Sequence, residues 1–140
     1  MHGHTLILIV EDDPELGARL TRDVRRYAGA SAAELVQECE EAIARLHNPP
    51  VPRIVVMEYR MRGQTGVDLA LWMDTQPHLV GTRRVLYTAM PRALVAQDPA
   101  LAGRRLDTLF ALVVPKGAGS GPRALAEALR TLLRQVAEEA

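Results

Sequence analysis

Apolar and polar positions in this chain fall into two alternating patterns. The unbroken apolar runs Leu6-Ile7-Leu8-Ile9-Val10, Ile54-Val55-Val56-Met57, Val85-Leu86-Tyr87 and Leu109 to Val114 read as strands buried on both faces. Ala33-Glu34-Leu35-Val36 reads as a shorter strand. Between these runs the apolar residues return at helical spacing. Leu16, Leu20, Val24 and Tyr27 follow Asp13-Pro14, a helix start with Asp13 at the N-cap and Pro14 in the first turn; Gly29 is the expected stop. Ala42, Ile43 and Leu46 mark a second helix. Val67, Leu71 and Asp74 lie on a third, after a loop with Gly63 and Gly66. A fourth helix is expected from Pro91 to about Ala102, and a fifth over Arg123 to Glu138 with Leu125, Leu129, Leu132, Leu133 and Val136. Asn48-Pro49-Pro50-Val51-Pro52 is a turn that no helix or central strand crosses. Five strands alternating with five helices imply an α/β fold, a parallel sheet covered on both faces.

Length changes this picture little. The 140 residues, 48% of them hydrophobic, suit one domain, 1–140, without repeats or a long linker. Seventeen basic and 17 acidic side chains balance to zero net charge, which gives no bulk attraction to nucleic acid or an anionic membrane. No apolar run approaches the roughly 20 residues of a membrane span, and Met1 to His4 lacks the features of a secretory signal. With one cysteine, Cys39, there is no internal disulfide. A cytoplasmic setting is expected. The basic residues are arginines with one exception, Lys116, and a compact ammonium is not interchangeable with a guanidinium.

In an open parallel sheet, ligands bind beyond the carboxyl ends of the strands. Glu11-Asp12-Asp13 closes the first strand, Glu58 the third and Thr88 the fourth, with Lys116 near the end of the fifth. Carboxylate oxygens suit a hard cation such as Mg2+; a hydroxyl and an ammonium suit a phosphoryl group. No glycine-rich phosphate loop follows the first strand, which disfavours dinucleotide or nucleoside triphosphate binding. Each residue also has a plainer role open to it: Asp13 as an N-cap, Glu11 and Asp12 as solvated strand-end acids, Thr88 as an ordinary strand-end residue, His2 and His4 as a terminal pair without a ligand, Cys39 as inert, Trp72 as packing. Arg83-Arg84 and Arg104-Arg105 read as solvated loop arginines or as contacts for acidic groups on a partner.

Four segments in order carry a resemblance. Ile7 to Leu16, with Glu11-Asp12-Asp13-Pro14, resembles the opening of receiver domains of two-component response regulators. Val55 to Gly66 resembles their phosphoacceptor segment, Val85-Leu86-Tyr87-Thr88-Ala89 their hydroxyl-bearing strand, and Val113-Val114-Pro115-Lys116 the end of their fifth strand. The resemblance implies a flavodoxin-like, doubly wound sheet of order 2-1-3-4-5. It implies Mg2+ held by Glu11, Asp12 and the acceptor position, Glu58, with Thr88, Ala89 and Lys116 around the phosphoryl group. It also implies a protein partner, a histidine kinase or an output protein, meeting the face of helix four, strand five and helix five, where a second copy is the alternative.

Glu58 departs from the family, which uses aspartate. The extra methylene moves the carboxylate about 1.5 Å outward, and an error of about 1 Å in an in-line transfer can cost about 100-fold. Glu58 is therefore expected either to reach Thr88 and Lys116 as a partial mimic of the phosphorylated state or to mark a site that only holds the fold. Pro115-Lys116 reverses the family's Lys-Pro order, and no aromatic residue stands at Leu112 or Val113. The expected function is an atypical, non-enzymatic receiver domain that signals by protein contact. A phosphorylatable Mg2+-dependent switch and a small phosphohydrolase-like enzyme are the alternatives. No DNA-binding segment follows the last helix, so a stand-alone regulator or a fragment of a longer one is expected.

Overall fold

The computed structural model describes residues 6–27, 32–117 and 121–139. The expected stop at Gly29, the His2/His4 pair and the glycine-rich stretch 118–120 lie outside them. The chain runs β1 (Leu6–Val10), α1 (Pro14–Tyr27), β2 (Ala32–Val36), α2 (Cys39–Leu46), β3 (Ile54–Met57), α3 (Gly66–Asp74), β4 (Arg83–Thr88), α4 (Arg92–Val95), α5 (Leu106–Leu109), β5 (Leu112–Pro115) and α6 (Gly121–Glu139). The five strands form one sheet of order β2-β1-β3-β4-β5, parallel throughout. This is the flavodoxin-like doubly wound arrangement.

The pleat divides the core in two. Ile7, Ile9, Ile54, Val56, Val85 and Tyr87 point to one face and pack with Leu20 and Val24 of α1 and Leu125, Leu129 and Leu132 of α6. Leu8, Val10, Val55, Met57 and Leu86 point to the other, against α2, α3 and the α4–α5 region. All five residues of β1 are buried, as an unbroken apolar run in a central strand requires. The leucine stripe of α6 faces the sheet: Leu125, Leu129, Leu132 and Val136 are all buried.

The described residues contain six α-helices, not five. The helix expected over Pro91 to Ala102 is interrupted. Pro91 is its N-cap and α4 ends at Val95; Asp98 then caps a separate 3-10 turn, Pro99–Leu101, which Ala102 closes in the left-handed region at φ 49°. The cause is Pro99, which has no N–H for a helical bond and whose ring would strike the preceding turn. The additional helix, α5, takes the start of the run read as strand five. Leu106 and Leu109 use helical spacing to bury, and β5 begins only at Leu112, after the Ala111 amide bonds the Arg84 carbonyl at 2.8 Å.

Arg83 and Arg84 sit on β4, not in a loop. Arg83 pairs with Glu139, and Arg84 and Arg104 grip Asp74 from two sides at 3.3 and 3.1 Å. The cis peptide bond among the described residues joins Pro49 and Pro50.

Candidate functional site

The site is assembled by the parallel ladders at their carboxyl ends. The Glu11 amide continues β1 onto Val36 at 3.0 Å, the Glu58 amide bonds Val10 at 3.3 Å, and the Lys116 amide bonds the Thr88 carbonyl at 2.9 Å. That last bond settles the reversed Pro-Lys order. Pro115 stands opposite Thr88, and the long lysine side chain turns inward from the next position.

Lys116 is the hub. Its Nζ donates to Glu11 Oε1 at 2.8 Å and to Glu58 Oε2, and it lies 5.3 Å from the centroid of the Tyr87 ring, within cation–π range. The side chains of Glu11, Glu58 and Lys116 are 4%, 12% and 16% exposed, so water screens these pairs weakly. Burial pushes the Glu11 carboxyl up, against the pull of Lys116. Burial works against the Lys116 charge too, but its hydrogen bonds to Glu11 and Glu58 outweigh that and the net shift is upward. The ammonium is held charged between two acids.

Glu58 has a second anchor, the Tyr59 amide, which donates to its Oε1 at 2.7 Å. It does not meet Thr88. The Thr88 hydroxyl accepts from the Met90 amide at 3.1 Å and so shapes the turn after β4. Of the two contacts expected of Glu58, the one to Lys116 is therefore present, while the Thr88 hydroxyl is engaged by Met90. Asp13 caps α1, its Oδ1 accepting from the Glu15 and Leu16 amides at 3.0 and 3.3 Å. Gly66 is required by a close approach: a Cβ there would lie 2.5 Å from the Glu58 carbonyl oxygen. Just before it, Thr65 and Asp68 form a reciprocal capping box on α3.

A cleft of 420 Å³ opens beside these groups, lined by Glu11, Asp12, Glu58, Arg60, Thr88, Ala89, Met90 and Pro91. The carboxylates expected to hold Mg2+ do not fit that role as arranged. Among the described residues no group of three His, Cys, Asp or Glu side chains is placed to hold a metal, and the Lys116 ammonium stands between Glu11 and Glu58. Sequence reasoning missed Arg60 on the cleft wall. It also missed Tyr59, whose hydroxyl donates to Asp98 Oδ2 at 2.7 Å across 39 positions; nothing local in the sequence signals that contact.

No protein-family model matches the chain, and no curated protein matches it. Solved structures do. The signal receiver domain of a signal transduction histidine kinase from Syntrophus aciditrophicus is 26% identical, with 94% of this chain and 92% of that one covered and a TM-score of 0.74. A CheY-like response regulator receiver domain from Methanospirillum hungatei is 16% identical over 99% of this chain and all of that one, TM-score 0.76. The signal receiver domain of a putative LuxO repressor from Vibrio parahaemolyticus is 16% identical, covering 98% and 95%, TM-score 0.77. The fold is that of the CheY-like receiver domains. Among the described residues no helix is long and apolar enough to cross a membrane.

Proposed function

We propose that this chain is a receiver-type signalling domain of the cytoplasm that acts by protein–protein contact, without catalysis and without phosphorylation of its acceptor position. One observation carries the reading: at the acceptor position a glutamate is already bound, by Lys116 on one oxygen and the Tyr59 amide on the other. Each oxygen of that carboxylate already accepts a hydrogen bond, which lowers its nucleophilicity, and the lysine that would receive an incoming phosphoryl group is engaged by Glu11 and Glu58. The structural neighbours, receiver domains of signalling proteins, support the signalling half of the proposal. Contact with a histidine kinase, an output protein or a second copy falls on α4, β5 and α6, where Leu94 is 51% exposed and β5 is an edge strand.

The test is intact-mass spectrometry after incubation with Mg2+ and a small-molecule phosphodonor, on the wild type, Glu58→Asp and Glu58→Gln. The wild type is expected to stay unlabelled, whether or not Glu58→Asp gains a phosphoryl group. Labelling of the wild type that Glu58→Gln abolishes would show a working phosphoacceptor and overturn the proposal.

A further inference from the structure

We propose that the Tyr59–Asp98 hydrogen bond is a latch that ties the 3-10 turn Pro99–Leu101 to the state of the Glu58 carboxylate. The inference rests on reading the Glu58 cleft as the signalling site.

Tyr59 is held at both ends. Its amide donates to Glu58 Oε1 at 2.7 Å and its hydroxyl to Asp98 Oδ2 at 2.7 Å, while its carbonyl accepts from the Gly66 amide at 2.7 Å. Asp98 is held in the same way. Its amide bonds the Val95 carbonyl at 3.0 Å, closing α4, and its Oδ1 accepts from the Ala100 amide at 2.9 Å, opening the 3-10 turn. A chain of hydrogen bonds therefore runs from Lys116 through Glu58, Tyr59 and Asp98 to the backbone of the turn. The turn has few other anchors: Val95 and Leu101 are buried in the core, and between them only Asp98 is less than exposed.

Leverage makes the contact sensitive. A phenol oxygen stands about 6.5 Å from its Cα, so a tilt of about 10° moves it by about 1 Å, enough to turn a 2.7 Å bond into no bond. If the Glu58 carboxylate leaves the Tyr59 amide, the amide loses its partner and the peptide plane is free to tilt. The β5 segment, with Leu112 and Val113, has no aromatic ring to carry such a signal by a parallel route. Burial together with the Asp98 bond pushes the Tyr59 phenol up to about 12, so the donor stays protonated near neutral pH.

The test is amide hydrogen exchange, resolved at Ala100 and Leu101, in the full chain carrying Tyr59→Phe, Glu58→Met or both. Phenylalanine keeps the ring and the Asp98 cap and removes only the hydroxyl. Loss of a bond to a charged acceptor should speed these amides about tenfold, while the amides of Leu8 and Val55 keep their protection. Glu58→Met, which keeps the length but leaves the Tyr59 amide without its acceptor, should speed the same two amides in the wild-type background and add nothing on top of Tyr59→Phe. The latch is wrong if Tyr59→Phe leaves Ala100 and Leu101 unchanged, if Glu58→Met leaves them unchanged, or if the two effects multiply independently. Should Tyr59→Phe fail to fold, Asp98→Ser serves instead: its hydroxyl still caps the Ala100 amide, but it is too short to reach the tyrosine hydroxyl. A phosphorylated wild type would overturn the functional proposal and leave this exchange result standing, so the two fail separately.

Discussion

Replacing Lys116 with methionine isolates the charge at the centre of the site. Methionine keeps most of the apolar stem and lacks only the terminal ammonium's reach and charge, but leaves Glu11 and Glu58 facing each other, with side chains only 4% and 12% exposed. Removing one partner of a buried ion pair costs about 3–5 kcal/mol. Two features lower the figure here. Glu11 Oε2 keeps the Asp13 amide at 3.2 Å and Glu58 Oε1 keeps the Tyr59 amide at 2.7 Å, and the cleft admits water to one side. A loss of about 2–4 kcal/mol follows. For a chain of 140 residues, whose unfolding entropy is on the order of 0.3 kcal/mol/K, that lowers Tm by about 10 °C. The assay is urea unfolding followed through Trp72, the only tryptophan, with far-ultraviolet circular dichroism alongside. The pH dependence gives the diagnostic. Burial already raises the Glu11 carboxyl above its ordinary 4.5, and without the ammonium it rises further. A carboxyl raised in the folded state contributes stability that is present below its unfolded value and lost as pH climbs through the folded one. The deficit of Lys116→Met should therefore be largest at neutral pH and shrink on acidification toward 4.5. A loss under about 0.5 kcal/mol at pH 7, or a deficit that does not change with pH, would refute the assignment of Lys116 as the neutralising cation.

Two further predictions concern the loop after β3. Gly66→Ala places a Cβ 2.5 Å from the Glu58 carbonyl oxygen and 3.1 Å from Leu86 Cδ1; because backbone cannot yield, a loss of about 2–4 kcal/mol is expected in the same urea assay. Unchanged stability would mean that this close approach is not present in solution. Tyr59 should ionise near 12 and not at the ordinary 10, from burial first and the Asp98 bond second, which ultraviolet titration shows by difference against Tyr59→Phe. The sign is that of a raised acid: its contribution to stability is present below pH 10 and fades between 10 and 12, so the urea midpoint should fall over that interval less steeply in Tyr59→Phe. A phenol that ionises at 10 would mean no buried bond to Asp98.

Much of the architecture was legible because it depends on local, periodic information. A run such as Leu6 to Val10 can be satisfied only where both faces are covered, and Asp13-Pro14 stops one element and starts the next with its own atoms. Strands thus located put Glu11, Glu58, Thr88 and Lys116 at one end of the sheet, since parallel strands share a direction. The misread stretch, residues 91–111, is one where local cues compete. Pro99 broke a helix whose apolar spacing was otherwise sound, and Leu109-Phe110 served equally well as a strand or as the buried side of α5.

What the chain determined by itself is the alternation of five strands with helices, their order, and which polar groups meet at the carboxyl edge; periodicity, caps and strand direction suffice for that. The tertiary structure alone decided how those groups pair. Lys116 reaches back between Glu11 and Glu58, Thr88 turns its hydroxyl to Met90, and Tyr59 finds Asp98 across the fold. Such choices turn on side-chain reach and on which charges are desolvated together. They exist only once the sheet has closed the distances between residues far apart in the chain.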